Sequence, residues 1–157
     1  IDLSKQNSIV EFWSWTWVFT KKILGKKWKN TNFFSIEINK FFAEKSKKNC
    51  PNAIIYNDDA NNIKKYLEKH NLKKTNCIIS WLPWTCFDKK TQKDLIKNIF
   101  NSLEEWWFFL TFSYIQSKVL PTWKTFKKII SEKFKNVSES KIIWKNIPPA
   151  FIYICEK

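Results

Sequence analysis

Apolar residues follow two alternating rhythms along this chain. Short runs rich in β-branched and aromatic residues have the length and content of buried strands: Ser8–Phe12, Asn32–Glu37, Ala53–Asn57, Asn76–Leu82, Phe108–Tyr114, Val137–Trp144 and Ala150–Cys155. Between them the spacing turns helical. Over Thr91–Leu103 the apolar positions Leu95, Ile96, Ile99, Phe100 and Leu103 form one stripe of a helix, and Phe126, Ile129, Ile130 and Phe134 repeat it over Thr125–Phe134. Phe41 and Phe42 mark a shorter helix, and Ile63, Tyr66 and Leu67 mark another. Val18–Leu24 is a further helix, with Gly25 just past its end, where a left-handed residue closes the last turn. Strict alternation of buried strands and helices predicts a mostly parallel sheet covered on both faces. The last two strands follow each other through Asn146-Ile147-Pro148-Pro149 and pair antiparallel at the sheet's edge. The expectation is one three-layer α/β domain over residues 1–157 with seven strands, and no internal repeat or linker divides it.

Composition narrows this. The chain has 157 residues, one domain's worth, and its 44% hydrophobic content is enough for a core. The longest apolar run, around Trp106 to Phe112, falls far short of the roughly 18 residues that cross a bilayer as a helix. Four cysteines with one histidine and no Cys-x-x-Cys spacing give neither a zinc site nor a disulfide framework; they read as free thiols in a reducing compartment. No metal site is expected. The net charge is +14 and every cation is lysine, which suits an anionic membrane surface or nucleic acid.

Glycine is the anomaly. Ordinary usage of about 7% would give roughly 11 glycines, yet there is one, against 10 tryptophans. An α/β fold needs residues that accept positive φ. The first strand runs into Glu11-Phe12-Trp13-Ser14-Trp15-Thr16-Trp17 and then a helix, the place where a ligand meets backbone in such sheets. With glycine at 13, 15 and 17 this segment resembles motif I of the class I S-adenosylmethionine-dependent methyltransferases. Glu37, closing the second strand 20 residues after position 17, matches the ribose-binding acidic residue. Asp59, after the third strand, matches the family's adenine-contacting aspartate.

The resemblance implies a Rossmann-like methyltransferase fold, S-adenosyl-L-methionine as cofactor, and a cofactor site of Glu11, Trp13, Ser14, Trp15, Trp17, Glu37, Ile38, Asp59, Ala60 and Ser80. Eight tryptophans (13, 15, 17, 28, 81, 106, 107 and 123) stand where the family has glycine. The reading that explains them is a gene using UGA for glycine, translated with a table that reads UGA as tryptophan; Trp84 and Trp144 are then genuine. The lysine-, asparagine- and isoleucine-rich composition agrees with an AT-rich genome. With indoles at 13, 15 and 17 the cofactor is expected to be shut out.

Two proline motifs narrow the acceptor. Ser80-Trp81-Leu82-Pro83-Trp84 overlaps the N-L-P-Y loop of rRNA adenine dimethyltransferases, but the asparagine that accepts from the adenine amine is absent. Together with Trp144-Lys145-Asn146-Ile147-Pro148-Pro149-Ala150, it resembles bacterial phospholipid N-methyltransferases more closely. That likeness implies methylation of phosphatidylethanolamine towards phosphatidylcholine by a monomer at the cytoplasmic membrane surface, its N-terminal helical segment missing here. It puts Ser80, Leu82, Pro83 and Trp84 at the amine, with the Trp84 ring as a cation–π contact. An RNA-directed or other small-substrate methyltransferase is the alternative. His70, at a helix end, is read as structural.

Overall fold

The computed structural model describes residues 1–13 and 17–157. Seven strands form one sheet: β1 (Ser8–Phe12), β2 (Asn32–Glu37), β3 (Ile54–Asn57), β4 (Thr75–Ser80), β5 (Leu103–Tyr114), β6 (Asn136–Glu139) and β7 (Ala150–Glu156). Their order is β3-β2-β1-β4-β5-β7-β6. The first five run parallel, and β7 pairs antiparallel with both β5 and β6. Five helices connect them: α1 (Val18–Lys26), α2 (Lys40–Asn49), α3 (Ile63–Lys69), α4 (Lys89–Ser102) and α5 (Pro121–Lys133).

Strand alternation sorts side chains onto two faces. Val10, Phe12, Phe34, Ile36, Ile78, Phe109 and Tyr153 point to one face, where α3, α4 and α5 deliver Ile63, Leu67, Ile96, Ile99, Phe126 and Ile130 to the main core. Ile9, Phe33, Cys77 and Ile79 point to the other and meet Ile23 of α1 in a smaller cluster. That second face is thinly covered: between α1 and strands β4, β5 and β7 lies an apolar cavity of about 340 Å³.

Several expected bounds shift, β5 opening at Leu103 and α5 at Pro121 among them. Gly25 lies inside the last turn of α1 rather than beyond it, and the capping residue after the helix is Lys27, which has negative φ. β6 stops at Glu139, not Trp144. Beyond it Ile142, Ile143 and Trp144 have no layer to bury against, and pairing is reduced to the Ser140 N–H on the Ile152 carbonyl at 2.9 Å and the Ile143–Ala150 bridge. α4 begins at Lys89, because the Asp88 carboxylate accepts the Thr91 N–H at 2.7 Å and caps it.

Candidate functional site

The strand order reverses between β1 and β4, and at the carboxyl ends of the strands beside this point lies a cavity of about 350 Å³. One wall is Trp13 with residues 36–39; another is Asp59, Ala60 and Asn61. Leu82, Pro83 and Phe87 close the third side with Thr91 and Leu95 of α4.

The wall after β2 is held from β3. The Asn57 side-chain amide donates to the carbonyls of Glu37 and Ile38, both at 2.9 Å. The Glu37 carboxylate is buried and accepts the Asn39 N–H at 2.8 Å, and Ile38 is 69% exposed at the cavity. Of the two aspartates after β3, Asp58 is consumed structurally. It accepts from Tyr66 Oη at 2.6 Å, Asn62 at 2.8 Å and Lys65 at 2.9 Å. The Tyr66 hydroxyl, followed by Lys65, holds its carboxyl well below the usual range. Asp59 lines the cavity; one of its oxygens accepts the Asn61 N–H at 2.7 Å.

Glu11 does not line this cavity. It is wholly buried, accepting from Thr20 Oγ1 at 2.6 Å and from Trp81 Nε1 at 3.0 Å, so it ties β1 to α1 and to the segment after β4. Burial pushes its carboxyl up to about 7, against the opposing hydrogen bonds. Trp13 donates its N–H to the Ile36 carbonyl at 2.9 Å with φ of 66°, and Trp17 opens α1 with φ of 43°. Ser14 and Trp15 lie outside the described residues.

After β4, the Ser80 hydroxyl accepts the Leu82 N–H at 3.2 Å. Ser80 itself is buried and lies at the edge of the apolar cavity, while Leu82 and Pro83 line the candidate site. Trp84 corrects the expectation of a headgroup contact. It is 4% exposed, stacks on Phe126 at 4.5 Å and donates Nε1 to Thr111 Oγ1 at 2.7 Å, so its ring is core and offers no free face. His70 is structural as read: it bonds Tyr56 Oη at 2.9 Å and stacks on Phe34. Among the described residues no group of three His, Cys, Asp or Glu side chains is placed to hold a metal. No described helix is long and apolar enough to cross a membrane.

Sequence reasoning missed Asn39, Asn61, Phe87, Thr91 and Leu95. Asp88 followed by Thr91 was the available signal for the last two, since it starts α4 two residues earlier and brings its first turns to the cavity.

No family model matches this sequence, and no curated protein matches it. Solved structures do. The O-methyltransferase of Bacillus cereus, determined with S-adenosylhomocysteine, superposes with a TM-score of 0.74 at 9% identity, covering 99% of this chain and 76% of that one. The N-methyltransferase NodS of Bradyrhizobium japonicum, also with S-adenosylhomocysteine, gives 0.72 at 10% identity over 96% and 77%. An rRNA methylase of Streptococcus thermophilus gives 0.69 at 14% identity over 99% and 89%. The chain has the Rossmann-like fold of the class I S-adenosylmethionine-dependent methyltransferases.

Proposed function

We propose that this chain is an S-adenosylmethionine-dependent N-methyltransferase acting on phosphatidylethanolamine headgroups at the cytoplasmic membrane surface. The observation that carries the cofactor half is the cavity at the strand-order reversal, with the buried Glu37 carboxylate at the end of β2 and Asp59 at the end of β3. Its volume is that of a small-ligand pocket. Two carboxylates on adjacent walls suit the hydroxyls and amine of a nucleoside: Glu37 would take the ribose and Asp59 the adenine amine. Ile38, Ala60 and Leu82 supply apolar surface for the base. The Trp13 indole stands in the same cavity, so this reading belongs to the chain with glycine at 13, 15 and 17.

Once bound, the cofactor supplies an electrophilic methyl group. The work of the chain is then to bind, orient and exclude water. Backbone carbonyls of the Leu82–Pro83 segment are the candidate acceptors for the amine's hydrogens, and Ser80 fixes that segment through the Leu82 N–H.

The acceptor reading rests on the rim. β5 ends at Tyr114, and the Ile115 N–H donates to the Pro149 carbonyl at 3.0 Å, binding the loop before β7 to the loop after β5. At this end Ile143, Trp144 and Ile147 are 50%, 69% and 95% exposed, and Val119 and Leu120, a few residues after β5, are exposed as well. Exposed Lys124, Lys141 and Lys145 are interspersed. A Trp among aliphatics and lysines suits the bilayer interface; RNA would use the lysines and leave the aliphatics without purpose.

The test titrates S-adenosylhomocysteine into the W13G/W15G/W17G variant, then follows methyl transfer to phosphatidylethanolamine vesicles and to RNA. Micromolar binding, roughly −8 kcal/mol, with transfer to vesicles supports the proposal. Transfer to RNA alone replaces the acceptor, and absence of binding removes the function.

A further inference from the structure

Four residues other than glycine have positive φ among those described: Asn71 at 57°, and Trp13, Trp17 and Trp106 at 66°, 43° and 68°. Asparagine is at home in the left-handed region; a bulky aromatic is an outlier there. The only glycine, Gly25, is the reverse case. It sits in the last turn of α1 with ordinary negative φ, and a Cβ built on it meets nothing within 4 Å, so its position does not require glycine.

Each of the three tryptophans occupies a different local motif that asks for the smallest residue. Trp13 follows β1 directly, where the chain leaves the sheet beside the candidate site. Trp17 is the N-cap of α1 but makes no side-chain cap bond, a position that selects Ser, Thr, Asp, Asn or Gly. Trp106 lies in a bulge: β5 advances from Leu103 to Phe108 while β4 advances only from Thr75 to Cys77. The left-handed backbone of this irregularity is one that glycine adopts at no steric cost. The Trp106 indole is 63% exposed and contributes nothing to the core.

From the backbone alone, without any family pattern, we infer that positions 13, 17 and 106 are glycine in the protein as its own cell makes it, encoded by UGA read there as glycine. One reassigned codon accounts for all three positions at once. The same criterion sets Trp84 and Trp123 apart. Both are buried aromatics with negative φ, 4% and 7% exposed, each packed in the main core. Of the eight nominated by sequence, Trp28, Trp81, Trp107 and Trp123 lack positive φ, so the backbone criterion does not extend to them, and Trp123 is in addition a core residue. This inference does not rest on the proposed activity, although glycine at 13 would open the cavity that activity needs.

The experiment reads the gene and the native protein. Codons at 13, 17 and 106 are compared with the codon at 84, and peptides from protein purified from the source cells are sequenced by mass spectrometry across these positions. The expected result is UGA at all three, UGG at 84, and glycine in the peptides. A UGG codon at any of the three, or tryptophan in the native peptides, overturns it. Neither readout depends on cofactor binding, so the outcome is separate from that of the methyltransferase assay.

Discussion

The Trp81 indole donates to the Glu11 carboxylate at 3.0 Å while its ring stacks on Phe19 at 3.8 Å, so one side chain after β4 joins β1 and α1. Glu11 is fully buried, and burial holds its carboxyl up to about 7 from an ordinary value of 4.5. Because the folded value lies above the unfolded one, the folded state binds more protons between these limits. Its stability contribution is complete below about pH 4.5 and is lost as pH rises through 7. The expected loss is on the order of 3 kcal/mol. Urea titrations from pH 4.5 to 8 should show this decline, and E11Q should flatten it. W81F keeps a ring and removes the donor, so it should move the decline to still higher pH.

The tryptophans make a paired prediction of opposite sign. Trp106 is exposed, and Lys135 Nζ lies 3.8 Å from its ring centroid, an exposed cation–π contact worth about 0.5–1 kcal/mol. Relieving left-handed backbone at that residue returns about 1–2 kcal/mol. W106G should therefore leave stability unchanged or raise it slightly. Trp123 packs near Phe126 and Tyr153 in the core and lies in the first turn of α5. W123G should cost about 3–5 kcal/mol through the void it leaves. Thermal melts of the two variants decide the matter, and a large loss at 106 would contradict the backbone argument.

Much of the fold was legible because periodicity survives the odd composition. Ile9-Val10, Phe33-Phe34 and Cys77-Ile78 read as continuous apolar strands because both sheet faces are covered. Glu37 and Asp59 were singled out through the resemblance to the methyltransferases, and the structure puts both on the wall of the cavity. The role of Trp84 was not, since its sequence context shows an aromatic beside a proline but not the Phe126 ring that three-dimensional packing lays on it at 4.5 Å. The loop before β7 was also misjudged. Val137–Trp144 has strand-like content, but pairing depends on a neighbour, and past Glu139 it thins to the Ser140–Ile152 hydrogen bond and one bridge. Trp123 was the hardest, because the apolar spacing starts this helix at Thr125, whereas Pro121 is its first residue.

Asp58 and Asp59 are adjacent and should separate cleanly. D58N loses charge-assisted bonds to Lys65 and Tyr66, at a cost of about 1–2 kcal/mol in stability. D59N keeps an oxygen for the Asn61 N–H, so its fold should hold, and the expected loss is tenfold or more in S-adenosylhomocysteine affinity in the W13G/W15G/W17G background. Urea titration and calorimetry on both variants test this; an affinity loss confined to D58N would reassign the cavity wall.

The rim predicts membrane binding that is separable from cofactor binding. Ile143, Trp144 and Ile147 project from a loop that the Ile115–Pro149 hydrogen bond anchors to the end of β5, so replacing them leaves the scaffold alone. The triple variant I143S/W144S/I147S should lose at least tenfold in co-sedimentation with vesicles of phosphatidylethanolamine and an anionic lipid. Replacing Lys141 and Lys145 with glutamine should instead weaken binding mainly at low salt, since lysine attraction of about 1 kcal/mol each is screened within a Debye length. Cofactor affinity should be unchanged in both, because none of these residues lines the candidate site. Undiminished vesicle binding by the serine variant would detach the loop from the membrane and turn attention to its lysines as contacts for RNA phosphates, where affinity falls steeply with salt.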